Sequence, residues 1–320
     1  MKNLTGKERF KTWLPHGFEF RGPADSRRLH AVCDQIRTYF AGNGFEEVIP
    51  PLMDFAPTFE LARERKSWGF ESRDIDGENL AMRSDLTVQV VKAAASGILS
   101  ETGGFFYIQP VMVDQRWGSG HRRQILQAGV ELLGDRSGRV GEMIRLSLNS
   151  PFGKQLRLIY GDQRFLRILL SETSNEAFQQ ATQLLDKKDV AGLKTFASQS
   201  DLSSEARKVL LELPFLSGKS LDAYRQVAAE LPALLPVIDE SPSIPGILYD
   251  FGLVRDLSYY TGPVFQAYAD ENHEPVLSGG VYDGLFEKFS GKHVPACGFA
   301  FDAELLAFAL SPEPGMRKES

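Results

Sequence analysis

The sequence contains only two cysteines, Cys33 and Cys297, among 320 residues. Two cysteines cannot build a disulfide framework, and no CxxC or Cys/His spacing predicts a metal site, so we expect two core thiols and no metal or other cofactor. The sequence also lacks a run of 18 apolar residues, and its charged N-terminus MKNLTGKERFKTWLPHG has no apolar segment like that of a signal peptide. These absences predict a cytoplasmic protein that does not enter a membrane.

A general excess of positive charge is missing as well. The formal net charge is −6, so the chain as a whole is not predicted to attract nucleic acid. Hydrophobic residues make up 42% and charged residues 24% of the sequence, which are ordinary values for a globular protein. A chain of this length can form one large domain or two of ordinary size.

A local basic cluster lies in the segment from Phe105 to Gly134. Its first part, FFYIQPV, and its last part, Ile125 to Leu133, are apolar enough to predict two strands joined as a hairpin. The connection contains Arg116, Gly118, Gly120, His121, Arg122 and Arg123. Guanidinium groups beside glycines can bind an anionic ligand, but a solvated hairpin loop explains the same residues equally well.

The first hundred residues alternate between helix and strand patterns. Apolar residues at a helical period predict a helix from Arg27 to Ala41, which the sequence Gly-Asn-Gly would end. The segment FEEVIPPLMDF predicts a strand interrupted at Pro50-Pro51, either at a dimer-forming edge or at a plain turn. A strand from Leu80 to Met82 leads into a helix that Ser84 or Asp85 can cap. Asp85 could instead point into the mouth of the sheet as a binding residue.

Residues 174–240 are almost entirely helix-forming, with breaks predicted at Pro214 and Pro232. We interpret this region as a small helical module inserted into a sheet protein. A helix from Gly138 to Asn149 and the strand QLRLIYGD are predicted before it. After it the sequence predicts strands over Ile247–Asp250, Gly262–Tyr268 and Pro275–Gly279, and a helix over Asp302–Leu310.

The segment LVRDLSYYTG lies between the first two of these later strands. It brings Arg255, Tyr259 and Tyr260 close to a glycine. Because tyrosine supplies both a ring and a hydroxyl, these residues predict a pocket for a small polar ligand with a planar part.

Six segments, in this order, resemble the motifs of the histidyl-tRNA synthetase family. They are EEVIPPLMD, MRSDLTVQVVKAA, YIQPVMVDQRWGSGHRRQILQAGVELLG, LVRDLSYYTG, SGGVYDGL and PACGFAFDAELL. The resemblance implies an α+β fold with a class II aminoacyl-tRNA synthetase-like antiparallel sheet flanked by helices, dimerising through the motif 1 region. We expect a discontinuous core of residues 1–172 and 244–313, a helical insertion over 173–243 and a disordered tail over 314–320.

The resemblance also implies a histidine-binding pocket. Its residues would be Asp85, Thr87, Gln127, Glu131, Arg255, Tyr259 and Tyr260. Asp85 would face the α-amino group of histidine, and the two tyrosines would close over the imidazole end. These residue types suit the ligand, because an ammonium group needs a carboxylate and an imidazole N–H needs an acceptor.

Departures from the synthetase pattern argue against catalysis. Val113 occupies the position of the arginine that holds the α-phosphate of ATP, and Leu305 follows Glu304 where motif 3 has a second arginine. Each such interaction is worth about 2.7–4 kcal/mol in other enzymes, so adenylate formation should fall by many powers of ten. The sequence also leaves no room for an anticodon-binding domain after motif 3.

In these respects the chain resembles the regulatory subunits of ATP phosphoribosyltransferase, which are shortened synthetase paralogues without adenylation residues. The string R-x-D-x-T around Asp85 and the helical region resemble these subunits as well. The resemblance implies a non-catalytic subunit in the first step of histidine biosynthesis. Such a subunit forms a hetero-oligomer, expected to be a hetero-octamer, with a short catalytic subunit that requires it, and it transmits feedback inhibition by histidine. Ser84 and Val281 stand where that family often has proline and arginine, which leaves the histidine affinity open.

Two other functions are compatible with parts of the sequence. One is a ligase-like enzyme that activates an amino acid for a non-tRNA acceptor, which Val113 and Leu305 disfavour. The other is a binding module that mimics tRNA in translational regulation, which the net negative charge disfavours. An ATP–pyrophosphate exchange assay tests the first function, and a tRNA-binding measurement tests the second.

Overall fold

The computed structural model describes residues 14–61, 70–113, 122–134, 139–253, 259–269 and 274–309. The helices in these ranges are α1 Pro23–Gly42, α2 Ala56–Glu60, α3 Leu86–Ala95, α4 Arg139–Leu148, α5 Gln163–Leu169, α6 Asn175–Asp186, α7 Val190–Gln199, α8 Ser204–Leu216, α9 Leu221–Ala228, α10 Leu235–Asp239, α11 Glu287–Ser290 and α12 Ala303–Ala309. The strands are β1 Glu46–Glu47, β2 Met53–Phe55, β3 Glu71–Arg73, β4 Asn79–Met82, β5 Gly103–Met112, β6 Gln124–Leu133, β7 Leu156–Asp162, β8 Ile247–Tyr249, β9 Pro263–Ala269, β10 Leu277–Val281 and β11 Ala296–Asp302. None of these helices combines the length with the hydropathy that a membrane crossing requires.

Eight strands form one sheet in the order β1-β5-β6-β11-β10-β9-β7-β8. The inner pairs, from β5–β6 to β9–β7, are antiparallel, whereas the edge strands β1 and β8 pair in parallel with their neighbours. A second sheet has the order β2-β4-β3. With helices packed against the large sheet, the fold class expected from the sequence is confirmed.

The hairpin predicted around residues 105–134 is also confirmed. Strands β5 and β6 pair continuously, from Gly103 opposite Leu133 to Met112 opposite Gln124. The next strand in the sheet, β11, was not predicted, and neither was β3 at the edge of the small sheet. Six of the seven residues of β11 are apolar or glycine and most are buried, so the strand lacks the alternation of apolar and polar residues by which a half-buried strand is recognised.

Helix α1 covers one face of the central strands. Its inward residues, including Ile36 and Phe40, recur at the helical period and are almost fully buried. The Phe40 ring lies 5.8 Å from that of Phe106 on β5 and 6.0 Å from that of Phe299 on β11, measured between centroids. The helix predicted over residues 27–41 is therefore confirmed, although it begins earlier, at Pro23, whose fixed φ suits the first helical turn.

Helices α6 to α10 form the helical segment, residues 175–239. Several begin with a side-chain cap, as where the hydroxyl of Ser203 accepts the amide of Ala206. The predicted break at Pro214 is wrong, because α8 continues through it to Leu216. Pro214 lies in the last turn, so the helix loses the hydrogen bond of one amide and ends shortly afterwards. The predicted break at Pro232 is correct, since a short 3₁₀ helix begins there.

The helical segment and the large sheet share one hydrophobic core. Phe251, after β8, is fully buried and links the two, because its ring centroid lies 4.8 Å from that of Tyr224 on α9 and 5.0 Å from that of Phe165 on α5. Packing of this kind stabilises the segment against the sheet. The division of the chain into a discontinuous core and an insertion over 173–243 stays a prediction.

Candidate functional site

Asp85 lies where β4 passes into α3, and its two carboxylate oxygens have different partners. One oxygen accepts the backbone N–H of Val88 at 3.2 Å and thereby caps the helix. The other accepts the hydroxyl of Tyr259 at 3.0 Å, from a segment 174 residues later. The helix cap predicted from the sequence is thus present, and the same carboxylate lines a cavity, where its role in binding stays a prediction.

Glu131 is the most enclosed acid of the site, with an exposed fraction of 1%. Its carboxylate accepts the hydroxyl of Thr87 at 2.6 Å and that of Tyr107 at 2.9 Å on one oxygen, and the hydroxyl of Tyr282 on the other. Three donors from α3, β5 and the end of β10 therefore converge on one side chain of β6. Such a network fixes the three hydroxyl-bearing side chains relative to one another.

Burial governs the titration of this network. It raises the pKa of Glu131 to about 7, with a further increase from the charge of Asp85, while the three hydroxyl hydrogen bonds act in the opposite direction. Burial, together with the nearby charge of Glu131, also raises the pKa of the Tyr107 and Tyr282 hydroxyls well above 10. These tyrosines stay protonated and act as hydrogen-bond donors at neutral pH.

Tyr259 and Tyr260 form an aromatic wall. Their ring centroids are 4.9 Å apart, and the Tyr259 ring meets that of Tyr282 edge to face at 5.7 Å. The Tyr260 ring passes so close to Gly280 that a Cβ there would lie 2.7 Å from a ring carbon. A glycine on β10 is therefore needed for this ring to occupy its place.

These groups surround a cavity of about 190 Å³. Five of the seven residues predicted to bind histidine line it: Asp85, Thr87, Gln127, Tyr259 and Tyr260. Glu131 is not among the lining residues, but it accepts the hydroxyls of three of them, as described above. Arg255 lies outside the described residues. The tertiary structure thus brings these five residues together from three distant parts of the sequence.

Sequence reasoning missed Tyr107, Tyr282 and Asp302, which also line the cavity. Asp302 ends β11 directly opposite Gln127. Side chains alternate between the two faces of a strand, so a prediction of β11 would have placed Asp302 on the same face as Gln127 and in the site. Tyr107 faces Gly129 on the neighbouring strand, and both were within the predicted hairpin. The alternation of residues along β5 was the available signal.

An ion-pair cluster includes Asp302, one of the residues that line the cavity. Arg122, just before β6, donates to the carboxylates of both Asp302 and Glu304. Arg21 approaches Glu304 from the N-terminal segment at 3.6 Å. The side chains of Arg122, Asp302 and Glu304 are only 18%, 12% and 10% exposed, so their attraction is screened less than that of a surface pair.

The anionic ligand considered for the basic hairpin has little support from its described arginines. Arg122 is engaged by two carboxylates of the chain, and Arg123 lies over the ring of Phe70 at 4.6 Å from its centroid. Arg116, Gly118, Gly120 and His121 lie outside the described residues.

A buried arginine holds the Asp85 junction in place. Arg83 is 3% exposed and donates to the carbonyls of Pro50 at 2.7 Å and Pro110 at 2.6 Å, and to the side chain of Gln109 at 3.0 Å. It therefore joins the segment between β1 and β2 to strand β5, two residues before Asp85. This places the cap residue over the edge of the sheet.

The chemistry of the described site favours a small ligand with a positive end and a planar end. Asp85 and Asp302 supply carboxylates, Glu131 adds a third behind the hydroxyls, and the tyrosines supply flat apolar faces. A cationic group gains from these carboxylates, since the surroundings exclude much of the water.

The structure combines a mostly antiparallel sheet with a hairpin of long strands. A helix packs across one face of the sheet, and the pocket lies on the other face. These features define a class II aminoacyl-tRNA synthetase-like protein. The family model of histidyl-tRNA synthetase matches residues 17–306. The histidyl-tRNA synthetase of Nostoc sp. PCC 7120 superposes with a TM-score of 0.72 at 17% identity, over 92% of this chain and 74% of that one. At that identity, the likeness shows the fold alone.

Regulatory relatives are closer in sequence. A protein of Leptospira interrogans named ATP phosphoribosyltransferase regulatory subunit is 30% identical over 94% of both chains. One of the same name from Acetivibrio thermocellus is 27% identical over 87% of this chain and 71% of its own. A Bacillus halodurans structure described as ATP phosphoribosyltransferase regulatory subunit/histidyl-tRNA synthetase has a TM-score of 0.79 at 24% identity, over 94% of this chain and 83% of that one. The chain belongs to the histidyl-tRNA synthetase-like family of ATP phosphoribosyltransferase regulatory subunits.

Proposed function

We propose that this chain is a non-catalytic regulatory subunit of ATP phosphoribosyltransferase, which acts in the first step of histidine biosynthesis. The observation that carries the proposal is the 30% identity to a regulatory subunit over 94% of both chains. In this role the chain completes a hetero-oligomer with a short-form catalytic subunit, which needs it for activity. It also transmits feedback inhibition by histidine.

The cavity supports histidine as the effector. Histidine carries an ammonium group, which suits Asp85, and a planar imidazole, which suits the rings of Tyr259 and Tyr260. Thr87 and Gln127 supply further polar contacts, and Glu131 positions the hydroxyls around them. An effector of this kind controls activity only if it binds one state of the complex better than another.

The absence of catalysis in this chain is part of the proposal. Val113 and Leu305 stand at the positions where the resemblance to synthetases implies ATP-binding arginines. Both side chains are partly buried and pack against the hydrophobic clusters of the core, and neither carries a group that could bind a phosphate. The transfer of a phosphoribosyl group would then take place on the catalytic partner.

We propose that the chain also pairs with itself through the motif 1 region. Ile49, Leu52 and Phe55 are between 50% and 76% exposed around the Pro50-Pro51 segment, and β1 beside them is an edge strand. Exposed apolar side chains beside a sheet edge are typical of a protein–protein contact. Such a dimer would be the building unit of a hetero-octamer in the cytoplasm.

The experiment mixes the full chain with a short-form catalytic subunit from the same organism and measures phosphoribosyltransferase activity during a histidine titration. We expect activity to rise on mixing and to fall as histidine is added. The variant Asp85→Asn removes the charge but keeps a cap acceptor, so it should retain activation and need at least about tenfold more histidine for inhibition. Asp239→Asn, an exposed acid of the helical segment, is the matched control.

Two outcomes would contradict the proposal. No rise in activity on mixing would reject the regulatory role. Turnover in ATP–pyrophosphate exchange with histidine by this chain alone would favour the ligase-like alternative instead.

A further inference from the structure

The main chain of Tyr260 has an anchor outside the cavity. Its carbonyl accepts a hydrogen bond of 3.1 Å from Nη2 of Arg167, which lies on α5, 93 residues earlier. Tyr260 lines the cavity but precedes β9, which begins at Pro263, so the ladder between β9 and its neighbours does not extend to it. The contact from Arg167 therefore anchors the main chain of the aromatic wall to α5, just before β9 begins.

The position of this wall is narrowly determined. The Tyr260 ring fits against the main chain of Gly280 with no room for an added methyl group, so a small shift of the tyrosine main chain would move the ring into β10 or into the cavity. Thr261, the next residue, donates its amide to the carbonyl of Val281 at 2.9 Å. Displacement of Tyr260 would strain this bond as well.

Helix α5 is a rigid base for Arg167. Its cap residue, Asp162, has a fully buried side chain that accepts the backbone amide of Arg164 at 2.9 Å and also binds the Arg164 guanidinium. Phe165, Leu166 and Leu169 are at most 3% exposed in the core. The backbone amide of Gln163 donates to the carbonyl of Gly262 at 3.1 Å, which ties the start of the helix to the same tyrosine segment.

We propose that Arg167 is a positioning residue of the pocket, which sets the affinity for an amino-acid ligand by fixing the main chain of Tyr260. This inference rests on the proposed function, in which the ligand is histidine. Arg167 is not among the residues that line the cavity, so it acts through Tyr260. A charged donor forms a stronger hydrogen bond to a carbonyl than a neutral donor, so its loss weakens the hold of α5 on the main chain of Tyr260.

Isothermal titration of the full-length chain with L-histidine tests the effect on affinity. Arg167→Met keeps much of the apolar stem but has no donor, and we expect it to bind histidine about tenfold more weakly. Arg167→Lys keeps a charged donor and should stay within about threefold of the wild type. Arg225→Met removes an exposed arginine of the helical segment and should leave the affinity unchanged.

Hydrogen exchange of the ligand-free protein tests the positioning itself. In Arg167→Met we expect the amide of Thr261 to exchange about tenfold faster, while the amides of the hairpin strand β5 are unchanged. A general loss of stability would accelerate exchange in both places, so this pattern separates positioning from a structural defect. If Arg167→Met does not fold, Arg167→Leu, which also has no donor, replaces it in both measurements.

The outcomes separate the two proposals. A wild-type chain that does not bind histidine refutes the histidine pocket, and the exchange of Thr261 still decides the role of Arg167. A folded variant without the arginine that shows unchanged affinity and unchanged exchange overturns the positioning role, whether or not the wild type binds histidine.

Discussion

Gly298 lies directly opposite Glu131 in the pairing of β11 with β6. A Cβ at this glycine would overlap with a carboxylate oxygen of Glu131 and with the carbonyl of Val130. The absence of a side chain at residue 298 is therefore what allows a glutamate to be buried at the back of the cavity. The motif GFAFD, which begins at Gly298, contributes to the site because its glycine has no side chain.

The first prediction concerns this glycine. Gly298→Ala should destabilise the fold by about 1–3 kcal/mol, because the added methyl group meets backbone and a carboxylate held by three hydroxyls. Histidine binding should weaken as well, since Glu131 can no longer hold Thr87 and Tyr282 in place. Urea unfolding and calorimetric titration measure the two effects.

Gly141→Ala is the control for this prediction. Gly141 lies inside α4, and the nearest atom to an added Cβ is at an ordinary contact distance of 3.5 Å. Alanine there should stabilise the helix by about 0.5–1 kcal/mol. Equal stability changes in the two variants would contradict the steric argument.

The second prediction concerns pH. Burial raises the pKa of Glu131 from its ordinary value of 4.5 to about 7 in the native protein, so its contribution to stability is fully present below pH 4.5 and is lost as the pH rises through about 7. The loss amounts to at most about 3 kcal/mol. Among its neighbours, Tyr107 and Tyr282 remain protonated over this range, and Asp85 adds to the increase in pKa.

The variant Glu131→Gln cannot titrate at this position. Its unfolding free energy, measured in urea between pH 5 and pH 8, should therefore rise relative to that of the wild type as the pH increases. Parallel stability profiles of the two proteins would show that Glu131 does not change its protonation in this range.

The third prediction separates binding from folding. Tyr259→Phe removes the hydroxyl that donates to Asp85 but keeps the ring, so histidine affinity should fall about 5- to 20-fold while the fold is retained. Tyr39→Phe is matched to it, because the Tyr39 hydroxyl donates to the carbonyl of Leu146, away from the cavity. Titration calorimetry should show normal affinity for the control, and a similar loss in both variants would argue against a local effect.

The fourth prediction concerns the ion-pair cluster. Arg122→Met removes the guanidinium that binds both Asp302 and Glu304, leaving only the longer contact of Arg21 with Glu304, and should destabilise the protein by about 2–4 kcal/mol. Lys208→Met breaks a pair whose side chains are 65% and 48% exposed, so its effect should be at most about 1 kcal/mol. Urea unfolding at low and high salt measures the free energy of unfolding of both variants.

Adding Glu304→Gln to Arg122→Met should recover part of the lost stability, and no recovery would speak against charge repulsion as the cause.

The elements that the sequence predicted best are those that depend on local patterns. The helix around Phe40 has apolar residues at a clear helical period, and the β5–β6 hairpin consists of two apolar runs around a polar loop. Strand β11 could not be found in the same way, because a strand buried on both faces lacks alternation. Asp302 was missed as a consequence.

Residue types and their order, which the sequence itself determines, were enough to predict the family, the α+β class and five of the residues that line the candidate pocket. The tertiary structure decided what each of these residues does. Glu131 lies behind hydroxyls, Asp85 serves a cap and a tyrosine at once, and Arg122 is engaged by two acids. Burial, pKa and hydrogen-bond partners depend on segments that lie as much as 182 residues apart, and no local pattern specifies how those segments meet.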